Sequence, residues 1–290
     1  MVEKLESRLL FAGPAIDVST VGLYSANGTA AGIDRTQGNI WFVIHGLYSS
    51  KNEAGIQQIA SAVDAALPGS QVRLIDWSDL ASAPLDNPTA VQHAWAAADA
   101  IAVKVRAAHI RSSRVNIIGF SMGGLVEDRL AADLHGVNRL IAIDPAAPPI
   151  GVDRNGNPIL ARTNFAKNSK YSIAFYGASY IAASLSATDT VELTGLAGSQ
   201  IEQHIESFAV VNTMMRRNAG LESSTGDGIS GLFSLRNILN GNLPAWRKNT
   251  YAPGFEARLS CAEVSGSSPV EFGPVQLTYV DRHGQTRQPT

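Results

Sequence analysis

Between residues 40 and 144 the chain alternates short apolar runs with segments whose apolar residues recur at helical spacing, and few folds accommodate that rhythm. Apolar runs without polar alternation are strands buried on both faces. Strands of that kind joined through helices run parallel, so the expected architecture is α/β, a mostly parallel central sheet with helices on both faces. Ile40–Ile44 (IWFVI) is the first such strand. Ser50 and Glu53 then have capping-box spacing ahead of Ile56, Ile59, Ala60, Val63 and Leu67, and Pro68-Gly69 closes the helix. A strand follows over 72–75, and Pro88 opens an alanine-rich helix to about His109. A third strand over 115–118 leads into a helix over 122–134, stopped by Gly136, and a fourth strand covers 140–143.

Past Asp144 the rhythm loosens. Pro145, Pro148, Pro149, Gly151, Gly156 and Pro158 make 145–168 an irregular excursion. One more strand is expected over 171–176. A helix follows over 205–217, with Ile205, Phe208, Ala209 and Val211 or Asn212 turned inward. After a Gly/Ser-rich stretch at 222–231, residues 275–280 are the only credible strand. The organisation expected is a tail over 1–15, a catalytic core over 16–222, and a partly irregular extension over 223–290 that packs on the core.

Composition excludes several classes. The 23 Lys+Arg against 25 Asp+Glu leave a formal charge of -2, the opposite of what a binder of nucleic-acid phosphates needs. Charged residues are 17% and apolar residues 45%, enough to build a core and too apolar for general disorder. Cys261 is the only cysteine, so neither an internal disulfide nor a cysteine-based metal site can form. No apolar run reaches the roughly 18 residues of a membrane span. The N-terminal LESRLLFAG is too short for a conventional signal peptide. It resembles the LEPR-x-L-L element of some exported bacterial proteins, with Ser7 in place of proline, and that resemblance implies export.

Gly119-Phe120-Ser121-Met122-Gly123 satisfies G-x-S-x-G between a buried strand and a helix, the setting of a nucleophile elbow and of the α/β-hydrolase fold. A serine there needs a base, and the base an acid that holds its tautomer. In this fold both follow the serine in the chain. Of the later histidines, His135 ends the helix that starts at the nucleophile and His283 lies in a polar tail. His204, at a loop-to-helix junction, is therefore the expected base. Asp144, fixed at a strand end by Pro145, is the expected acid, and Asp189, beyond the next strand, is the runner-up. The backbone N–H groups of Leu47, after the first strand, and Met122, after the serine, are the expected oxyanion donors. His45 is expected to brace that first loop from beneath, Asp76-Trp77 to be structural, and His93 and His109 to be ordinary helix residues. The chemistry calls for no metal or organic cofactor.

The strings FVIHGLYSS, VRLIDWSDL, VNIIGFSMGG and LIAIDPAAP, followed by HIESFAVV, resemble in order and spacing the corresponding segments of the pancreatic-lipase family. The resemblance implies a serine ester hydrolase with Ser121 as nucleophile, Asp144 in the DPA element as acid, and His204 as base. Phe120 stands where that family commonly has histidine and Met122 where it has leucine. Its disulfides are missing, its C-terminal β-sandwich has no room, and the stretch between Tyr176 and His204, where that family carries its lid, is under 30 residues and without cysteines. The expectation is thus a bacterial lipase-like esterase that cleaves acylglycerol or phospholipid acyl esters. A thioesterase or amidase on the same triad, and a non-catalytic surface module of an exported protein, stay open as alternatives. Contact with a lipid surface would have to come from apolar residues around Ser121, because the near-neutral charge offers no pull toward anionic lipid.

Overall fold

The computed structural model describes residues 15–84, 88–177, 186–221, 255–261, 272–280 and 285–287. Their main feature is a ten-stranded sheet. In chain order its strands are β1 (Gly22–Tyr24), β2 (Ile40–Ile44), β3 (Gln71–Asp76), β4 (Val115–Phe120) and β5 (Val137–Ile143), then β8 (Ser169–Tyr176), β9 (Asp189–Thr194), β10 (Phe255–Cys261), β11 (Phe272–Val280) and β12 (Thr286–Arg287). A separate hairpin of β6 (Pro149–Val152) and β7 (Pro158–Leu160) occupies the expected irregular excursion. In space the order is β1-β3-β2-β4-β5-β8-β9-β10-β11-β12. The run from β3 to β10 is parallel, and β1, β11 and β12 pair antiparallel at its edges. This is the α/β-hydrolase fold.

Period-two alternation divides the core. Ile40, Phe42 and Ile44 of β2 face one side, with α2 (Pro88–Ala107) and α3 (Gly123–Asp133). Trp41 and Val43 face the other, with α1 (Ala54–Ala66) and α5 (Gln200–Asn218). All five β2 residues are buried, which is why the strand reads as unbroken apolar sequence.

The structure corrects several expectations. Ser50 and Glu53 form no capping box: Glu53 is itself the N-cap of α1, makes no side-chain cap, and its carboxylate takes the Ser49 hydroxyl. The box is instead at α5, where Ser199 accepts from the Glu202 amide and the Glu202 carboxylate from the Ser199 amide. That moves the helix start ahead of His204, which lies within the helix and not at a junction. Ile205 and Ala209 point outward, and Phe208, Val210 and Val211 point in. β9 and β10 were not expected, so 275–280 is not the only C-terminal strand. Leu259 and Cys261 of β10 are buried with the α1/α5 side of the core. Burial, with the nearby Glu206 charge, pushes the Cys261 thiol up to about 12, so it is no nucleophile at neutral pH. The tail and His283 lie outside the described residues. No helix among the described residues is long and apolar enough to cross a membrane.

Candidate active site

Strand order reverses at β2, with β3 on one side and β4 on the other. In open parallel sheets a crevice forms outside the carboxyl ends at such a point. The segments leaving β2 and β4 there are His45-Gly46-Leu47 and Ser121-Met122.

Ser121 takes a left-handed conformation, φ 55°, which costs a non-glycine residue about 1–2 kcal/mol. Hydrogen bonds on both sides hold it there. Its amide donates to the Ile143 carbonyl at 3.0 Å, and its own carbonyl accepts from Gly124 at 3.0 Å and Ala146 at 3.1 Å. Packing explains the motif's glycines. A Cβ on Gly119 would lie 2.5 Å from the Gly123 carbonyl oxygen, and one on Gly123 would lie 2.7 Å from that of Ile44. Without either side chain, the start of α3 can close on the ends of β4 and β2. Gly46 completes the approach, since its Cβ would be 3.0 Å from that of Ser121.

Asp144 follows β5, also left-handed at φ 41° and fully buried. Its amide donates to the Phe175 carbonyl at 2.7 Å. Its carboxylate meets a donor on each oxygen: Oδ2 lies 2.5 Å from His204 Nδ1, and Oδ1 accepts from the Gly177 amide at 2.9 Å. Gly177 can approach so closely because it is glycine; a Cβ would sit 2.3 Å from Ser207 Oγ. A carboxylate can only accept, so Nδ1 of His204 carries the hydrogen and Nε2 presents its lone pair. The His204 ring stacks on Phe120 with centroids 4.9 Å apart and an angle of 21°, and Phe120 packs on Phe208 at 4.4 Å. The residue beside the nucleophile thus orients the ring. The Ser121 hydroxyl closes no hydrogen bond with His204, a contact that commonly tightens only with substrate bound.

Met122 is buried at the N-cap of α3, and Leu47 is half-buried after β2. Neither N–H donates to another described residue, so both are available to a ligand atom. The positive end of the α3 dipole adds to them.

Beneath Leu47, His45 is fully buried and stacked on Trp77. Its Nδ1 lies 2.8 Å from the Gly46 carbonyl oxygen, which can only accept, so Nδ1 donates. Nε2 then accepts from the Trp77 amide at 3.1 Å, and Trp77 Nε1 donates to the His45 carbonyl at 3.0 Å. The Nε2 to Asp76 Oδ1 distance of 3.2 Å becomes a hydrogen bond only in the imidazolium form, which gives up the Trp77 bond. His45→Phe keeps the ring stack but leaves a buried amide and a buried carbonyl unpaired. It is expected to cost about 3 kcal/mol, measurable as a lowered urea midpoint with unchanged slope.

The structure joins Asp144 to His204, stacks His204 on Phe120 next to Ser121 in the chain, and places Leu47 and Met122 just past the ends of β2 and β4. It does not bring Asp189 to them. That residue opens β9, two strands from β5, paired in register with Ile173 of mid-β8, and its Oδ2 accepts from the Tyr171 hydroxyl at 2.8 Å. The runner-up acid is therefore structural in placement. His135 and His109 take left-handed conformations where α3 and α2 end, and His93 Nδ1 is 2.8 Å from the Leu80 carbonyl. Sequence reasoning missed Gly177 and the stacking role of Phe120. Among the described residues no group of three His, Cys, Asp or Glu side chains could hold a metal ion.

Comparison with solved structures finds a phospholipase/carboxylesterase from Dyadobacter fermentans, 12% identical over 69% of this chain and 86% of that one, with a TM-score of 0.38. It also finds an α/β serine hydrolase without lid from Xanthomonas campestris, 15% identical over 68% and 86%, TM-score 0.38. The carboxylesterase EstE1 from a metagenomic library is 18% identical over 75% and 94%, TM-score 0.35. No curated protein matches the chain. A family model for palmitoyl protein thioesterase matches residues 41–187, half of the chain. The family found is thus not the pancreatic-lipase family that the motifs resemble, although the matched stretch contains or overlaps all four of the motifs between 42 and 148. From β2 through Ser121 and Asp144 to the threshold of β9, the chain belongs to the palmitoyl protein thioesterase family of hydrolases.

Proposed function

We propose that the protein hydrolyses acyl esters, oxygen or sulfur, through an acyl-enzyme on Ser121. The observation that carries this reading is the 2.5 Å contact from Asp144 to His204 Nδ1, which leaves Nε2 to act as base for the serine in the strained strand-to-helix turn. Ser121 Oγ attacks the acyl carbonyl carbon as its proton passes to His204 Nε2. The carbonyl oxygen becomes an oxyanion held by the Leu47 and Met122 N–H groups, each worth about 3–4 kcal/mol in such a site. The intermediate collapses, the bond to the leaving alcohol or thiol breaks, and His204 returns the proton to that group. Water, deprotonated in turn by His204, then releases the acid.

Exposed apolar side chains on segments that follow the site's strands favour an apolar acyl group. Among the described residues, Tyr48, Val152, Ile159, Leu160, Ile201 and Ile205 are six of the eight exposed large hydrophobic side chains. They lie on the segments that leave β2 and β5 and on the turns of α5 around His204. Any contact with a lipid surface would be made there. The thioester is the second reading, favoured by the family match.

A fluorophosphonate probe is expected to add once, at the peptide containing Ser121. A series of nitrophenyl esters of increasing chain length, run beside matched acyl thioesters, is expected to show turnover rising with chain length. Labelling elsewhere overturns the nucleophile. An optimum at acetate overturns the long-chain substrate, and the ratio of ester to thioester rates decides between the two readings.

A further inference from the structure

Apart from Asp144, Glu127 is the only acidic side chain among the described residues with no exposure at all. It projects from the second turn of α3 toward the sheet. A Cβ on Gly119 would lie 2.5 Å from its Oε2, so the first glycine of the serine motif makes room for this carboxyl as well as for α3. Neither carboxyl oxygen closes a hydrogen bond. Burial, and after it the Asp128 charge, drive the group well above the usual carboxylate range, against the opposing pull of the Ile141 and Gly119 amides.

An apolar side chain of similar volume would fill this space without a buried polar group lacking partners, and would be expected to stabilise the fold. A polar group kept at such a cost calls for an explanation in what it touches. Here it touches the strand carrying Ser121, two residues before the serine, and faces the strand carrying Asp144, three residues before the aspartate.

We propose that Glu127 is a positioning residue for acyl transfer: its carboxyl group, lodged against the backbone of Gly119 and Ile141, fixes the end of β4 relative to the end of β5. Ser121 and Asp144 thereby keep the relative placement that the Asp144–His204 pair requires. The carboxyl does this as a polar group seated in the space that Gly119 leaves, a role an amide side chain can also fill and a thioether cannot. The inference rests on Ser121 being the nucleophile.

The test compares Glu127→Met and Glu127→Gln with wild type, using a nitrophenyl ester and thermal melting. Glu127→Met is expected to melt no lower than wild type and to lose about tenfold in kcat with KM unchanged, less than the hundredfold that a 1 Å misplacement can cost. Glu127→Gln is expected to restore kcat to within about twofold. A lower melting temperature in Glu127→Met, a wild-type kcat in it, or a Glu127→Gln as slow as it each overturns the proposal. Fluorophosphonate labelling separates the two levels. A wild type unlabelled at Ser121 overturns both readings, whereas a labelled wild type with unimpaired Glu127→Met overturns this one alone.

Discussion

Ser121→Gly is expected to lower kcat about 10⁶-fold, the scale on which loss of a triad nucleophile acts, and to leave the protein at least as stable as wild type. The two halves come from one backbone angle. At φ 55° the serine occupies a conformation costing about 1–2 kcal/mol that glycine adopts freely. Glycine's greater freedom in the unfolded chain takes back about 0.4–1 kcal/mol. The hydroxyl itself closes no hydrogen bond among the described residues, so its removal costs no pairing. Thermal melts and single-turnover ester hydrolysis on the same preparation check both parts. A Ser121→Gly protein several degrees less stable than wild type would show that the turn is not strained.

Asp144→Asn is expected to cost about 10⁴-fold in kcat with little change in KM. Asparagine fits the space, but its two ends differ. Its oxygen can still accept from the Gly177 amide, 2.9 Å from the present Oδ1. That turns the NH2 group toward His204 Nδ1, 2.5 Å from the present Oδ2. An NH2 group donates, so Nδ1 must accept and the ring hydrogen moves to Nε2, the atom that has to take the serine proton. The alternative flip saves the tautomer but sets the NH2 group against the Gly177 N–H. Alkaline pH is expected to restore little activity, because no ionisation returns the lone pair to Nε2. Kinetics across pH 6 to 10 would expose a simple basicity effect as a recovery that tautomer reversal does not allow.

Much of this site was legible because its parts sit at the ends of strongly patterned elements. Five consecutive apolar residues gave β2 to the residue, and Ser121, Asp144 and Leu47 follow from where β4, β5 and β2 stop. His204 could be chosen in sequence, yet its seat was misplaced because two capping-box spacings compete in this chain. Ser50/Glu53 matched the spacing and forms no box, whereas Ser199/Glu202 forms one and puts the histidine inside α5. The 145–168 stretch hid a hairpin because Pro149 and Pro158 each open one of its strands, and proline is a poor strand signal. β10 was invisible for another reason. A strand that adds to the far side of a parallel sheet needs a partner far away in sequence, and nothing local marks that pairing. Glu127 did leave a trace, a charged residue four positions after Gly123 among the apolar residues of α3's inner face. Only the structure shows that Gly119 leaves space for it.

The pairing of β9 with β10 also bears on how the chain is made. Residues 189–194 find their parallel neighbour at 255–261, so a nascent chain released only to the end of α5 carries β9 as an open edge, with its N–H and C=O groups unmatched on one side. At about 5–20 residues per second, that edge waits several seconds for its mate. An unpaired edge of this kind is a template for pairing with another chain. Yield in a heterologous host should therefore depend on translation speed and chaperone supply across residues 195–261 more than on the folding of the catalytic strands, which are complete by then.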